Sequence, residues 1–318
     1  MKAPRYTHFD VFNGDADGLC ALQQLRLAQP RESVLITGVK RDHALLPRVK
    51  ARPGDSVTVV DLPVGANREA LLQLLEVGVS VEYFDHHHAA QVPVHALLHL
   101  KLDAAPRVCT SLLVDRHLGG RFRAWAVVGA FGDNMAATAE ELARSIGLDQ
   151  RKTYLFRVLG ECLNYNAYGE SEADLTIRPA ELRKIMAPFV DPFKFMTEAD
   201  AFLRIAQRRA EDLELANAVR PILQTERLTA VLLPDAAWAR RVIGIYANHL
   251  VNSKPGRICA VLVPNGHSKL SVSLRVPEGY GVAADRLARR HGGDGRASAA
   301  GINDLPVEDV TFLLRDLQ

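Results

Sequence analysis

Four separated segments carry carboxylates or imidazoles at spacings that could do chemistry. Asn13-Gly14-Asp15-Ala16-Asp17-Gly18 places two carboxylates two residues apart, and Asp61 stands alone before Leu62-Pro63. Asp85-His86-His87-His88 joins a carboxylate to three imidazoles, and Gly129-Ala130-Phe131-Gly132-Asp133-Asn134 brings a further Asp. Carboxylates gathered at one place repel each other and resist desolvation, so a cluster of them requires a positive partner. Mixed oxygen and imidazole donors suit Mn²⁺, Mg²⁺ or Zn²⁺, with Mn²⁺ favoured by the mostly hard ligands. Two such ions, about 3.5–4 Å apart, would share a carboxylate and clamp an attacking hydroxide against phosphorus. The residue types therefore point to hydrolysis of a phosphoester or phosphoanhydride. Each segment also has a plainer reading: Asp-x-Asp after a strand caps a helix, and a lone Asp ends a strand.

For these groups to meet, the chain must deliver them to one edge. Strands are expected at His8–Phe12, Ser33–Val39, Ser56–Leu62 and Ser80–Asp85, the third nearly all apolar. Between them lie an amphipathic helix, Gly18–Ala28, with Leu19, Leu22, Leu25 and Leu27, and a helix over Asn67–Glu76. This alternation predicts an α/β fold: a parallel sheet with helices on both faces. In an open parallel sheet the carboxyl ends of the strands form the ligand crevice, which is where Asp15, Asp61 and Asp85 fall.

From Val108 to about Val190 the pattern is helical, with Thr138 and Glu141 as a capping box and a helix over Leu155–Tyr168. Thr197 and Asp200 form a second box, opening a long charged helix to about Val219 that is expected to connect two domains. From Thr225 a smaller α/β unit begins. It has a strand at Leu228–Leu233, a helix at Ala237–Leu250, and strands Arg257–Val263 and Lys269–Val276 joined through Pro264-Asn265-Gly266. A helix at Gly281–Arg290, a glycine-rich loop at Gly292–Gly295 and a closing strand at Val310–Leu314 complete it. The expected division is a catalytic domain over 1–190, a helical linker over 191–224 and a substrate-binding domain over 225–318.

The four segments, in this order, resemble the DHH phosphoesterase superfamily, which includes RecJ-like exonucleases and oligoribonuclease-like enzymes. The C-terminal unit is similar to the DHHA1 domain through Ser273-Leu274-Arg275, Gly292-Gly293 and Ala299-Ala300-Gly301. The resemblance covers nearly the whole chain. It implies that Asp61 bridges two metals, that Asp17, His86 and Asp133 bind one ion, and that Asp15 binds the other. It implies that His87 faces the scissile phosphate, with Asp85 orienting a histidine. It also implies that Ser273, Arg275 and the Gly292-Gly293 backbone grip the far end of the substrate. Two positions depart from the pattern. Val11 stands where the family has a histidine ligand of the first metal, which leaves water, Asn13 or substrate to complete that site. Arg296 stands where the glycine-rich motif has a histidine, and as a fixed cation it can still meet a phosphate.

Composition narrows the partners. The 318 residues are 48% hydrophobic and 24% charged with a net charge of +2, which excludes a cationic coat for long duplex and an acidic disordered chain. Residues 225–318 hold 12 Arg and Lys against 9 Asp and Glu, so the net charge divides into +3 there and −1 elsewhere. Arg286, Arg289, Arg290 and Arg296 flank the glycine loop, a cationic lip suited to a short anion. Long single strands need stacking aromatics, and aromatic content is only 6%. Asn164–Gly169, with Tyr165 and Tyr168, is the one stretch that could stack a base. No apolar run approaches a membrane span, Met1–Asp10 has no signal-peptide pattern, and the four separated cysteines read as reduced thiols. These features predict a cytoplasmic protein.

The expected function is metal-dependent hydrolysis of short oligonucleotides, single-strand ends or nucleotide phosphates. A pyrophosphatase or exopolyphosphatase, and a catalytically inactive nucleotide-binding protein, remain as alternatives. Oligomeric state is left open, a homodimer included.

Overall fold

A computed structural model describes residues 6–254, 256–265, 268–277 and 279–318. The chain divides into two compact units, Met1–Ala206 and Gln207–Gln318.

The first unit carries a sheet of five parallel strands in the order β2-β1-β3-β4-β5. These are β1 (His8–Phe12), β2 (Val34–Ile36), β3 (Ser56–Val60), β4 (Ser80–Asp85) and β5 (Leu98–Leu102). Helices α1 (Ala16–Ala28) and α2 (Val64–Glu76) provide crossovers. Successive side chains of a strand face opposite sides. Phe9 and Val11 of β1, Val57 and Val59 of β3, and Val81 and Tyr83 of β4 form one core with Leu71, Leu74 and Leu75 of α2. His8, Asp10 and Thr58 point the other way, where Asp10 is buried against Arg26 at the end of α1.

A helical cluster follows: α3 (Thr110–His117), α4 (Arg123–Gly132), α5 (Ala136–Ser145), α6 (Gln150–Asn166), α7 (Pro179–Met186), α8 (Pro192–Glu198) and α9 (Asp200–Ala218). It alters the expectation for α1, which is buried all round from Ala16 to Arg26 rather than amphipathic. The Gln23 amide donates to the carbonyls of Met186 and Phe189, and the Gln24 amide to that of Ser111, so both side-chain amides find acceptors inside the protein.

Several expected elements differ. The edge strand β5 is absent from the expected set, because its Leu-His-Leu-Lys-Leu alternation is short and only half-buried. Thr138 and Glu141 are no capping box: α5 begins at Ala136, and both side chains take Arg107 instead. Thr197 lies inside α8, its hydroxyl donating to the Phe193 carbonyl one turn back. The long charged helix is α9, which runs over Asp200–Ala218 close to the expected extent, and α8, capped by Asp191, is a separate short helix before it.

The second unit has the sheet order β10-β11-β9-β8-β7-β6. Its strands are β6 (Leu223–Gln224), β7 (Leu228–Leu232), β8 (Ile258–Pro264), β9 (Lys269–Arg275), β10 (Asp294–Gly295) and β11 (Ala299–Pro306). Among the described residues of this unit only β7 and β8 run parallel, connected by α10 (Ala237–Ser253). Helix α11 (Ala284–Arg289) packs on β11, and the glycine-rich stretch ends as the small strand β10. Val310–Leu314 is helical, within α12 (Val310–Asp316), not a strand. Leu313 and Leu317 bury at helical spacing, a period that five residues alone do not display. Gly266 of the expected turn lies outside the described residues. No helix among the described residues is long and apolar enough to cross a membrane.

Candidate metal centre

The carboxyl ends of β1, β3 and β4 deliver the predicted groups to one place. After β1 the chain turns into α1 with Asp15 as N-cap, its Oδ1 accepting from the amides of Asp17 and Gly18 at 3.0 and 3.1 Å. The plainer reading of this Asp-x-Asp pair holds, since Asp15 caps the helix, and both carboxylates lie beside the cluster. Asp17 is buried in the first turn, where its two oxygens accept from the amides of Thr110 and Ser111 at the start of α3. Asp61 follows β3 with φ +59°, a conformation that strains any residue with a Cβ. Its Oδ1 accepts from the Thr110 hydroxyl and lies 3.5 Å from His86 Nε2.

The two histidines after β4 are turned to different tasks. His86 Nδ1 is 3.0 Å from the Val108 carbonyl, which can only accept, so Nδ1 carries the hydrogen and Nε2 is free to bind. His87 Nδ1 is 2.7 Å from Oδ1 of the fully buried Asp85, which leaves its Nε2 available. His88 is exposed. Ligand atoms of Asp61, His86 and His87 lie within 4.8 Å of one another, close enough for an ion held by Asp61 and His86 to sit beside His87.

Asp133 arrives from the C-cap of α4. Gly132 makes this position reachable: a Cβ there would stand 2.2 Å from that of Ala16, so α4 and α1 meet backbone to side chain. Asp133 Oδ2 is buried with no hydrogen-bond partner among the described residues. An orphaned buried carboxylate oxygen beside Asp17 is what a cation ligand looks like without its cation. Burial, then the neighbouring carboxylates, pushes Asp17 and Asp133 up to about 6. Burial and Asp15 likewise raise Asp61. Burial works to lower His86, yet Asp61, Asp17 and Asp133 raise it to about 10. These opposed shifts show a site with excess negative charge. The donor set fits a divalent ion.

Sequence reasoning missed four neighbours. Lys40, in the loop after β2, places Nζ 2.5 Å from Asp15 Oδ2 and 2.8 Å from Asn164 Oδ1. Burial would lower this ammonium, but Asp15 holds it above its ordinary range. His43 lies 6.4 Å from the His87 ring, and Thr110 and Val108 fix Asp61 and His86. Their signal is three-dimensional. No local pattern marks a lysine or a carbonyl as part of a site.

Other predicted residues are placed differently. Asn13 is buried beside Asp15, its Oδ1 accepting from the Asp15 amide and its Nδ2 donating to the Lys40 carbonyl. Val11 lies wholly in the core on the α2 side and offers no ligand. Tyr165 is fully buried and cannot stack a base, whereas Tyr168 is half-buried below Lys40. In the second unit Ser273 and Arg275 share a 3.0 Å hydrogen bond on β9, and Arg275 also reaches Asn248. The amides of Gly292 and Gly293 donate to the Arg289 and Ala288 carbonyls, so this loop does not present them to a phosphate. Arg289 and Arg290 pair with Asp294 and Asp316, while Arg296 is exposed.

No family model and no curated protein matches the chain. Solved structures do. A manganese-bound exonuclease RecJ is similar over 98% of this chain and 89% of its own, at 17% identity and a TM-score of 0.61. RecJ from Thermus thermophilus in complex with Mn²⁺ gives 18% identity and a TM-score of 0.67, with 98% of this chain spanning 51% of that one. A pGpG-specific phosphodiesterase, PggH, from Vibrio cholerae gives 15% identity and a TM-score of 0.54, covering 98% and 97%. The chain has the fold of these proteins, the two-sheet α/β architecture expected from the resemblance to DHH phosphoesterases.

Proposed function

We propose that the chain is a divalent-metal-dependent phosphoesterase acting on phosphodiester or phosphate-ester bonds of short oligonucleotides, single-strand ends or nucleotides. The observation that carries this reading is the meeting of Asp61, His86 and His87 with the buried Asp17 and the buried Oδ2 of Asp133 at the carboxyl edge of one parallel sheet. Its fold neighbours include proteins that are, by name, an exonuclease with manganese and a pGpG phosphodiesterase.

The division of labour follows from the hydrogen bonds. His86 Nε2, Asp61 and Asp133 would hold the ion, Mn²⁺ or Mg²⁺ by its hard ligands, with Asp17 beside them. When bound, the ion supplies Lewis acidity toward the phosphate and lowers the pKa of water. Thr110 steadies Asp61 through its hydroxyl. His87 Nε2, with Nδ1 held by Asp85, would give a proton to the leaving oxygen. On the second unit, exposed Arg296 is the proposed phosphate contact, with Ser273 and Arg275 on β9 as further candidates.

The test is hydrolysis of a panel of dinucleotides, short oligonucleotides, pyrophosphate and polyphosphate with Mn²⁺. Wild type should cleave the nucleotide substrates and Asp133→Asn should not. Equal turnover by both proteins at equal metal loading overturns the reading. Phosphate release from pyrophosphate or polyphosphate alone reassigns the substrate.

A further inference from the structure

The resemblance implies two metals, and with Lys40 in place the residues around Asp15 do not fit the second. Both oxygens of Asp15 are already committed. Oδ1 accepts two amides as the cap of α1, and Oδ2 takes the Lys40 ammonium at 2.5 Å. Val11, at the position of the family's histidine, is sealed in the core. Asn13, the nearest substitute, spends its Oδ1 on the Asp15 amide and its Nδ2 on the Lys40 carbonyl. Lys40 is itself built in. Asn164 Oδ1 accepts from Nζ at 2.8 Å, the Tyr168 ring lies under it, and the Lys40 amide donates to the Ala167 carbonyl. At the other end of the cluster the opposite holds, with the Asp61, His86 and His87 donors grouped and Asp133 Oδ2 unpartnered among the described residues.

We propose that this centre takes one divalent ion, at the Asp61–His86 end, and that the Lys40 ammonium permanently fills the place beside Asp15 where a second ion would sit. A tethered ammonium and a divalent ion share one task, neutralising clustered carboxylates, and the ammonium does so without needing a complete ligand shell. The inference rests on the phosphoesterase reading only in requiring that the centre bind metal.

Mn²⁺ stoichiometry on the full chain tests it, measured by equilibrium dialysis together with electron paramagnetic resonance. Wild type should bind one Mn²⁺ with the spectrum of an isolated ion. Lys40→Ala, which removes the charge and frees Asp15 Oδ2 with room for water to complete the shell, should bind a second, weaker ion coupled to the first. Lys40→Arg, which keeps the charge, should stay at one. Lys40→Gln serves if the alanine variant fails to fold. Two coupled ions in wild type overturn the inference and leave the phosphoesterase reading standing. A folded, uncharged Lys40 variant that still binds one ion also overturns it. No Mn²⁺ bound by folded wild type removes the phosphoesterase reading itself.

Discussion

His86 Nε2 stands 3.5 Å from Asp61 Oδ1, while His86 Nδ1 is fastened 3.0 Å from the Val108 carbonyl. The first distance is long for a hydrogen bond. Two donors each about 2.1 Å from one ion, at right angles, would lie roughly 3 Å apart, so the pair is spaced close to shared ligation. The second contact fixes the ring tautomer that such ligation needs.

Metal removal and His86 should therefore act on the same quantity. Mn²⁺ is expected to raise the Tm of wild type, and chelation to reverse it, because the ion binds the folded chain alone. His86→Ala should lose that shift and drop metal affinity by at least about 100-fold. Thermal unfolding with and without Mn²⁺ measures both. A His86→Ala protein that keeps the full shift would exclude His86 from the ligand set.

Asp85 is expected to act on turnover instead. It is fully buried and touches the centre through His87. Asp85→Asn keeps the volume but replaces an acceptor with an amide that can turn its NH₂ toward Nδ1, favouring the wrong tautomer. The turnover number should fall by about 10²–10⁴ while KM and Mn²⁺ binding stay near wild type. Steady-state kinetics beside a metal titration separates the cases. Lost Mn²⁺ binding would place His87 among the ligands.

What the sequence showed of this centre is what local spacing encodes. Asp15, Asp17, Asp61, Asp85, His86 and Asp133 each sit at the end of an element that period and turn residues reveal, and the parallel-sheet rule places those ends together. Lys40, Thr110, Val108 and Asn164 act through contacts spanning 22 to 124 residues, for which no periodicity exists. The same limit explains the misread elements. Thr138-x-x-Glu141 has the letters of a cap, but Arg107, 31 and 34 residues away, takes both side chains. Val310–Leu314 is too short to tell a period of two from one of 3.6.

Gly160 tests how tightly α6 must approach α4 to seat Asp133. A Cβ on Gly160 would lie 2.4 Å from the Val128 carbonyl oxygen and 2.8 Å from the Gly132 amide nitrogen. Backbone atoms cannot swing aside as side chains do. Gly160→Ala should cost about 1–3 kcal/mol as overpacking and weaken Mn²⁺ binding by displacing Asp133. Urea unfolding and metal titration would report the two effects, and a variant with wild-type values in both would show that the helices have room to part.

Asp10 should govern stability at low pH, far in function from the metal. Arg26 Nη2 lies 2.5 Å from its Oδ1, and Ser33 Oγ donates to Oδ2 at 2.6 Å. Arg183, also buried, has Nε and Nη1 without partners among the described residues. Burial pushes the Asp10 carboxyl up, but His8, Arg26 and Ser33 together hold it well below the usual carboxylate range. The native state thus binds fewer protons here than the unfolded chain. The resulting stabilisation is complete above about pH 4 and is lost as pH falls below it. Asp10→Ala leaves the buried Arg26 guanidinium without its anion, near the buried Arg183, and should cost about 3–5 kcal/mol at pH 7. At pH 3 the wild-type carboxylate has begun to lose its advantage, so the gap between the two proteins should narrow. Urea denaturation of both at pH 7 and pH 3 measures it, and an unchanged gap would mean that Asp10 is not held ionised by this network.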